Sequence, residues 1–328
     1  MMTLATVIRV EGLVAVVRVE GADRRATLRG SIKAGPRSST HPVAVGDHVL
    51  IEGDDAGSWV IRGLAERRNL LARADPGDER RYHPIAANID QVVCVQAFRD
   101  PPLNLRALDR LLLLAHAAGV PAWVIINKQD LNTGSGPSEL DAYPAIGIPV
   151  LRTSARTGAG LCDLEPVLRG KITVLVGPSG AGKSSILNAV VPGLHLRIRP
   201  VSRATTRGVH TTARVEWIDL SAGGAVLDTP GLRAIRPWGV DSSNLKEAFP
   251  EFAEHRGCRF PDCCHHAEPG CAVRIAVEQG EIPAFRYDSY LRILSTLGGD
   301  RPGVQAGGTA SECRRGRRGR ARRRHRGG

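Results

Sequence analysis

Over residues 4–66 short apolar runs rich in β-branched residues are interrupted by polar turn formers: TVIRVEG, LVAVVRVEG, RRATLRGSI, DHVLIEGD and GSWVIRGLAER. Such runs read as strands. Glycines at positions 12, 21, 46, 53 and 57 separate the runs as turns do. Five strands at this spacing, with no helical period, predict a small barrel, and an OB-fold over residues 1–67 is the expected architecture. OB-folds often take RNA or single strands. Trp59 is the main aromatic residue here for stacking a base, so a scaffold barrel fits the pattern nearly as well.

Residues 68–85, RNLLARADPGDERRYHPI, mix charge with turn formers and read as a linker. Strand and helix patterns then alternate. IDQVVCVQA (89–97), PAWVIINK (121–128), IPVLRTSA (148–155), KITVLVG (171–177), TARVEWIDL (212–220) and GAVLDTPG (224–231) read as strands. LNLRALDRLLLLAHAAG (103–119) is an apolar-faced helix closed by Gly119, and GLCDLEPVL (160–168) is a shorter one. Such alternation predicts a parallel-rich α/β domain over residues 86–238, with ligands at the loops beyond the strand ends. A third domain, 239–297, holds a Cys- and His-rich stretch (258–271) and a helix near 282–297. Gly and Arg dominate 298–328.

Composition adds two points. The net charge is +12, of which nine charges come from the arginines of Arg314 to Arg326, so +3 remains for the rest of the chain. That apolar-poor tail is expected to be disordered alone, serving either an anionic partner such as nucleic acid or solubility. The N-terminus lacks a signal-peptide pattern, and no apolar run approaches the ~20 residues that span a bilayer. A cytoplasmic monomer without membrane association is expected. In that reducing setting, clustered cysteines mark a metal site sooner than disulfides.

The chemistry begins at GPSGAGKSS, from Gly177, Pro178, Ser179, Gly180, Ala181 and Gly182 to Lys183, Ser184 and Ser185. It follows an apolar strand and opens a helix, the context a phosphate loop requires. Its glycines let backbone N–H groups close around phosphates. Lys183 would neutralise the β- and γ-phosphates, and Ser184 would offer its hydroxyl to Mg²⁺. Asp228 and Gly231 of DTPG end another strand, where the carboxylate can hold Mg²⁺ and the glycine N–H can meet the γ-phosphate. Between them, RGVHTT offers Thr211 and Thr212, the latter a favoured Mg²⁺ ligand.

Asn127, Lys128 and Asp130 follow a further strand as NKQD. The Asp130 carboxylate matches the two N–H donors of guanine, and adenine would leave it unpaired at a cost of about 1.5–3 kcal/mol. Lys128 can lay its stem over the base. Ser154 and Ala155, in TSA, end the next strand, where a backbone N–H reaches the guanine oxygen. Together these favour GTP over ATP.

The order of these motifs is inverted, since a GTPase normally opens with its phosphate loop. Contacts do not depend on where a chain starts if the original termini lie close enough to join. The order describes a circularly permuted GTPase, opened after DTPG.

Asn-Lys-x-Asp, then GxSGxGKSS, His-Thr-Thr and Asp-Thr-Pro-Gly, resembles the circularly permuted ribosome small-subunit-dependent GTPase A family (RsgA, also called YjeQ). AANIDQV, DRLLLLA and CRFPDCCHHAEPGC are similar to its sequences as well, over about residues 4–297. The resemblance implies an OB-fold, a central GTPase and a C-terminal zinc domain. It implies GTP hydrolysis to GDP and phosphate stimulated by the 30S subunit in late maturation, contact with 16S rRNA, and other assembly factors as possible partners. It also favours His210 for orienting the attacking water, because Leu232 replaces the usual Gln. It implies Cys258, Cys263, His265 and Cys271 as a C-x₄-C-x-H-x₅-C zinc knuckle. Three thiolates and an imidazole suit a structural Zn²⁺ on their own chemistry, with Cys264 and His266 as spare ligands. Ala213 departs from the hydroxyl or basic residue many relatives carry. An RNA-binding assembly factor with a structural nucleotide is the alternative function.

Overall fold

The computed structural model describes residues 2–29, 32, 38–53, 57–75, 77–78, 80–134, 136–191, 193–196, 215–229 and 236–297. The chain forms two compact units. One comprises Met1–Gly136 and Ile148–Trp238, the other Pro137–Gly147 and Gly239–Gly328.

The first unit begins with a closed barrel of β1 (Met2–Glu11), β2 (Val14–Val19), β3 (Ala22–Leu28), β4 (His48–Gly53) and β5 (Trp59–Leu64), in the order β1-β2-β3-β5-β4. The β3–β5 pair is parallel and the others are antiparallel. Alternate side chains point inward, so Val7, Ala15, Val17, Ala26, Val49, Ile51 and Ile61 form a sealed core. This is the predicted five-stranded OB-type barrel.

Residues 68–85 are not a linker. They carry most of an antiparallel hairpin, β6 (Leu70–Ala74) and β7 (Tyr82–Ala87). Leu71, Ala72, Tyr82 and Ile85 are buried, and the Tyr82 ring lies 5.1 Å from that of Trp238. Charged residues between the strands obscure the alternation in the sequence. Asp75 organises that connection, accepting from the Gly77 N–H at 2.8 Å. The barrel joins the rest of the unit here. The Asn88 amide donates to the Gly46 carbonyl at 2.9 Å, and the Arg67 guanidinium grips Asp47 from 2.7 Å. Gly46 has no room for a side chain, since a Cβ would sit 2.1 Å from the Ala87 oxygen.

The nucleotide-type sheet follows, built from β8 (Gln91–Ala97), β9 (Ala122–Asn127), β10 (Val150–Arg152), β11 (Ile172–Val176), β12 (Glu216–Asp219) and β13 (Ala225–Asp228). Its order is β10-β9-β8-β11-β13-β12, parallel except for β12. Helix α1 (Leu105–Ala118) starts at Asn104, whose side chain accepts from the Ala107 N–H, and stops at left-handed Gly119. Helices α3 (Leu161–Leu168) and α4 (Lys183–Val190) cover strand residues Val93, Val95, Ile125, Leu175 and Val226 through Leu164, Ile186 and Leu187. The base motif, the TSA segment, the phosphate loop and Asp228 all lie at the carboxyl ends of parallel strands. The inverted chain order therefore converges on one edge of the sheet.

In the second unit, α5 (Ala272–Glu278) and α6 (Ala284–Leu297) pack with residues 240–252. Arg286 is 2% exposed. Its guanidinium pairs with Glu251 at 2.7 Å and lies over the rings of Phe249 and Tyr143 at 4.7 and 5.4 Å. Tyr143 belongs to the segment 137–147, which carries α2 (Ala142–Ala145) and was expected inside the 86–238 domain. Its buried Leu140 and Tyr143 explain why that segment packs with the second unit instead. No described helix is long and apolar enough to cross a membrane.

Candidate functional site

Asn127 holds three motifs together. It ends β9 with 1% of its surface exposed. Its amide N–H donates to the Ala181 carbonyl of the phosphate loop at 3.1 Å. Its amide oxygen accepts from the Ala155 N–H at 3.1 Å and from the Thr153 hydroxyl at 3.3 Å. One of the two amide hydrogens is thus committed to the protein, and the other remains for a ligand. Lys128 follows in left-handed backbone (φ 64°), its ammonium held by the Asp100 carbonyl. Asp130 accepts from the Ser154 hydroxyl at 2.6 Å, with Arg156 at 3.5 Å from its other oxygen. The Ser154 bond, assisted by Arg156, holds the Asp130 carboxyl below the usual carboxylate range despite some desolvation. Charge is thereby kept on the group that would read guanine.

The phosphate loop runs from β11 into α4, whose first residue is Lys183. Gly177 and Gly182 are where only glycine fits. A Cβ would stand 2.2 Å from the Val95 carbonyl at Gly177, and 2.2 Å from the Asn127 amide at Gly182, which has φ +95°. Lys183 is 8% exposed and donates to the carbonyls of Gly177 and Pro178 at 2.8 and 3.2 Å. Burial lowers its pKa, and the nearby Asp228 charge opposes that shift. Pro178, Ser179, Gly180, Ala181, Ser184 and Ser185 complete the loop and the helix start.

Asp228 ends β13 and is 7% exposed. Desolvation raises its pKa, Lys183 counters this, and Glu216 across the ladder adds to it. One of its oxygens is buried and has no partner among the described residues. Such an orphan is costly unless a donor or cation meets it. With Ser184 close enough to lower the pKa of the same carboxyl, these two side chains fit a hard, oxygen-seeking cation. Thr229, whose role the sequence did not signal, fixes the strand end by donating to the Leu175 carbonyl at 2.6 Å. His210, Thr211, Thr212 and Gly231 lie outside the described residues.

A second cluster occupies the other unit. Cys258, Cys263, His265 and Cys271 each present a ligand atom, all within 4.8 Å of one another. His265 Nδ1 lies 3.6 Å from the Cys258 sulfur and 3.4 Å from that of Cys271. A tetrahedron about Zn²⁺ has N–S edges of about 3.6 Å, so the spacing suits an ion of that size. Backbone N–H groups of Ala272 and His265 donate to the sulfurs of Cys258 and Cys263. Burial pushes the Cys263 and Cys271 thiols up and the His265 imidazole down to about 4. Cys264 and His266, the spare ligands, are outside this set.

The knuckle loop is held by groups that follow no spacing rule. The Glu268 carboxylate accepts from the N–H groups of Cys264, His266 and Ala267 at 2.8, 2.9 and 3.1 Å. Desolvation would raise its pKa, but these backbone bonds together hold it below the ordinary value. The hydroxyls of Tyr287 and Tyr290 donate to the carbonyls of His265 and Cys264.

Comparison with known proteins identifies the family. The RsgA GTPase family model matches residues 64–238. The chain is 41% identical over 302 residues to the small ribosomal subunit biogenesis GTPase RsgA of Gemmatimonas aurantiaca, covering 90% of this chain and 98% of that protein. The protein of the same name from Porphyromonas gingivalis is 39% identical, with 86% and 93% covered. Among solved structures, YjeQ from Thermotoga maritima superposes with a TM-score of 0.72 at 32% identity, covering 92% of this chain and all of that one. YloQ, described as a circularly permuted GTPase, gives 0.67 at 30% identity, with 93% and 98% covered. With its motifs gathered at one sheet edge and relatives matched along nearly their whole length, the chain belongs to the RsgA GTPase family.

Proposed function

We propose that this GTPase acts in late maturation of the 30S ribosomal subunit, hydrolysing GTP to GDP and phosphate when the small subunit is engaged. The observation that carries the reading is the match over 98% of a relative named for small-subunit biogenesis.

Asp130 selects guanine, with the Lys128 stem and the Ala155 N–H beside it. The loop from Gly177 to Ser185 wraps the phosphates, and Lys183 turns from its carbonyls to the β- and γ-phosphates. Ser184, Asp228 and Thr212 would hold Mg²⁺, which neutralises charge developing on the transferred phosphoryl group. The Gly231 N–H receives the γ-phosphate, and His210 orients the attacking water. Cys258, Cys263, His265 and Cys271 would hold one structural Zn²⁺ that fixes the second unit's knuckle.

The flanking barrel and zinc unit contact 16S rRNA in this reading, and the protein works as a soluble cytoplasmic monomer. Charge supports RNA contact by the first unit, where Met1–Gly136 and Ile148–Trp238 contain 29 Lys and Arg against 20 Asp and Glu. Co-sedimentation with isolated subunits tests the proposal. A non-hydrolysable GTP analogue is expected to hold the protein on the 30S subunit, and GDP to release it. Equal retention with both nucleotides, or equal retention on the 50S subunit, would overturn it.

A further inference from the structure

The barrel touches the nucleotide sheet at a second place, besides the Asn88–Gly46 junction. Arg18 of β2 extends one guanidinium nitrogen to both carboxylate oxygens of Asp219 at 2.6 and 2.8 Å. The rest of its fork grips Asp23 on the neighbouring barrel strand, Nε at 2.8 Å. Asp219 in turn accepts from the Trp217 indole N–H at 2.9 Å. Arg18 is therefore fixed to the barrel on one side and to β12 on the other.

The position of β12 gives this contact its meaning. It is the antiparallel edge strand, and among the described strands of the sheet it pairs with β13 alone. Its first residue, Glu216, pairs across the ladder with Asp228. Its last, Asp219, lies at the turn where Leu220 and Gly224 close the hairpin. The chain entering β12 is the segment carrying His210, Thr211 and Thr212. A short strand whose start faces the nucleotide carboxylate and whose end is held by the barrel ties the two together.

We propose that Arg18 is a positioning residue for hydrolysis: through Asp219 it sets β12, and it transmits engagement of the barrel by the small subunit to the Asp228 end of β13, which Glu216 of β12 faces. This rests on the proposed function, because it explains how a barrel contact reaches the γ-phosphate. Energetics favour a geometric role over a stabilising one. The side chains of Arg18 and Asp219 are 30% and 56% exposed, and ion pairs so placed contribute little to stability. The fork's two-nitrogen grip on Asp23 still fixes the direction in which its remaining nitrogen meets Asp219.

The test measures GTP turnover with and without 30S subunits for the intact chain, Arg18→Ala, Arg18→Lys, Asp219→Asn and the Ala/Asn double variant. Turnover alone and the KM for GTP are expected to stay within about twofold of the parent. Stimulated kcat is expected to fall about five- to tenfold in each single alanine or asparagine variant, the range of a modest coupling between sites. The double variant should lose no more than either single one, because the same contact is removed twice. Arg18→Lys, which keeps charge but not the fork, should fall between. Full stimulation in Asp219→Asn, an exposed change that leaves the barrel core alone, would overturn the inference. An unstimulated parent protein would instead sink the proposed function itself.

Discussion

The Asn127 side chain bonds the Ala181 carbonyl of the phosphate loop and the Ala155 N–H of the TSA segment at 3.1 Å each. Two motifs 54 and 28 residues away are thereby clamped to the residue that opens the guanine motif. Circular permutation leaves this bracket intact because it depends on strand ends and not on chain order.

Asn127→Ala should therefore damage more than base reading. It strands a buried carbonyl and a part-buried N–H, each costing about 1–3 kcal/mol. A lowered thermal midpoint without nucleotide, together with more than tenfold weaker GTP binding, is expected in calorimetry. A variant that lost affinity at unchanged stability would show that Asn127 is only a ligand contact.

Asp130 gives a pH signature. Its carboxyl is held below the usual range, chiefly by Ser154. The contribution of its charge to GTP binding is thus complete above the ordinary carboxylate value near 4 and is lost as pH falls through the lowered value. Ser154→Ala removes the 2.6 Å bond and raises the Asp130 pKa, so its acid limb of affinity should move to higher pH than the parent's. Superimposable profiles would contradict the assignment.

Glycine substitutions separate geometry from composition. Gly182→Ala puts a Cβ 2.2 Å from the Asn127 amide in a backbone that favours glycine, and should abolish nucleotide binding. Gly134→Ala, with open space around it, should be neutral. Equal effects in fluorescence titrations with a labelled GTP would discount the packing argument.

For the metal cluster, elemental analysis should find one Zn²⁺ per chain, lost in Cys263→Ser. Glu268→Gln keeps the ligands but weakens the acceptor for three loop N–H groups, and zinc affinity should fall about tenfold, as outer-shell changes do. Unchanged zinc affinity in that variant would leave Glu268 a loop cap without influence on the ion.

Much of this was legible in the sequence because it depends on local patterns. The barrel strands are short β-branched runs between turn glycines, and the phosphate loop and Cys₃His spacing bring their ligands together over nine and fourteen residues. The rest is non-local. The β6–β7 hairpin was hidden by the charged residues between its strands. Tyr143 gave no sign that it would lie over Arg286, more than a hundred residues on. The Arg18–Asp219 contact joins positions 201 residues apart, and neither residue stands in a motif. Asn127 was legible as a guanine-motif residue, but its grip on Ala181 required the sheet order.

GTP turnover with 30S subunits, with 50S subunits and with neither tests most directly whether the small subunit activates this GTPase. Marked stimulation is expected with the small subunit alone, absent with ATP and absent in His210→Ala, which should still bind GTP. Equal turnover under all three conditions, or undiminished stimulation in His210→Ala, would contradict it.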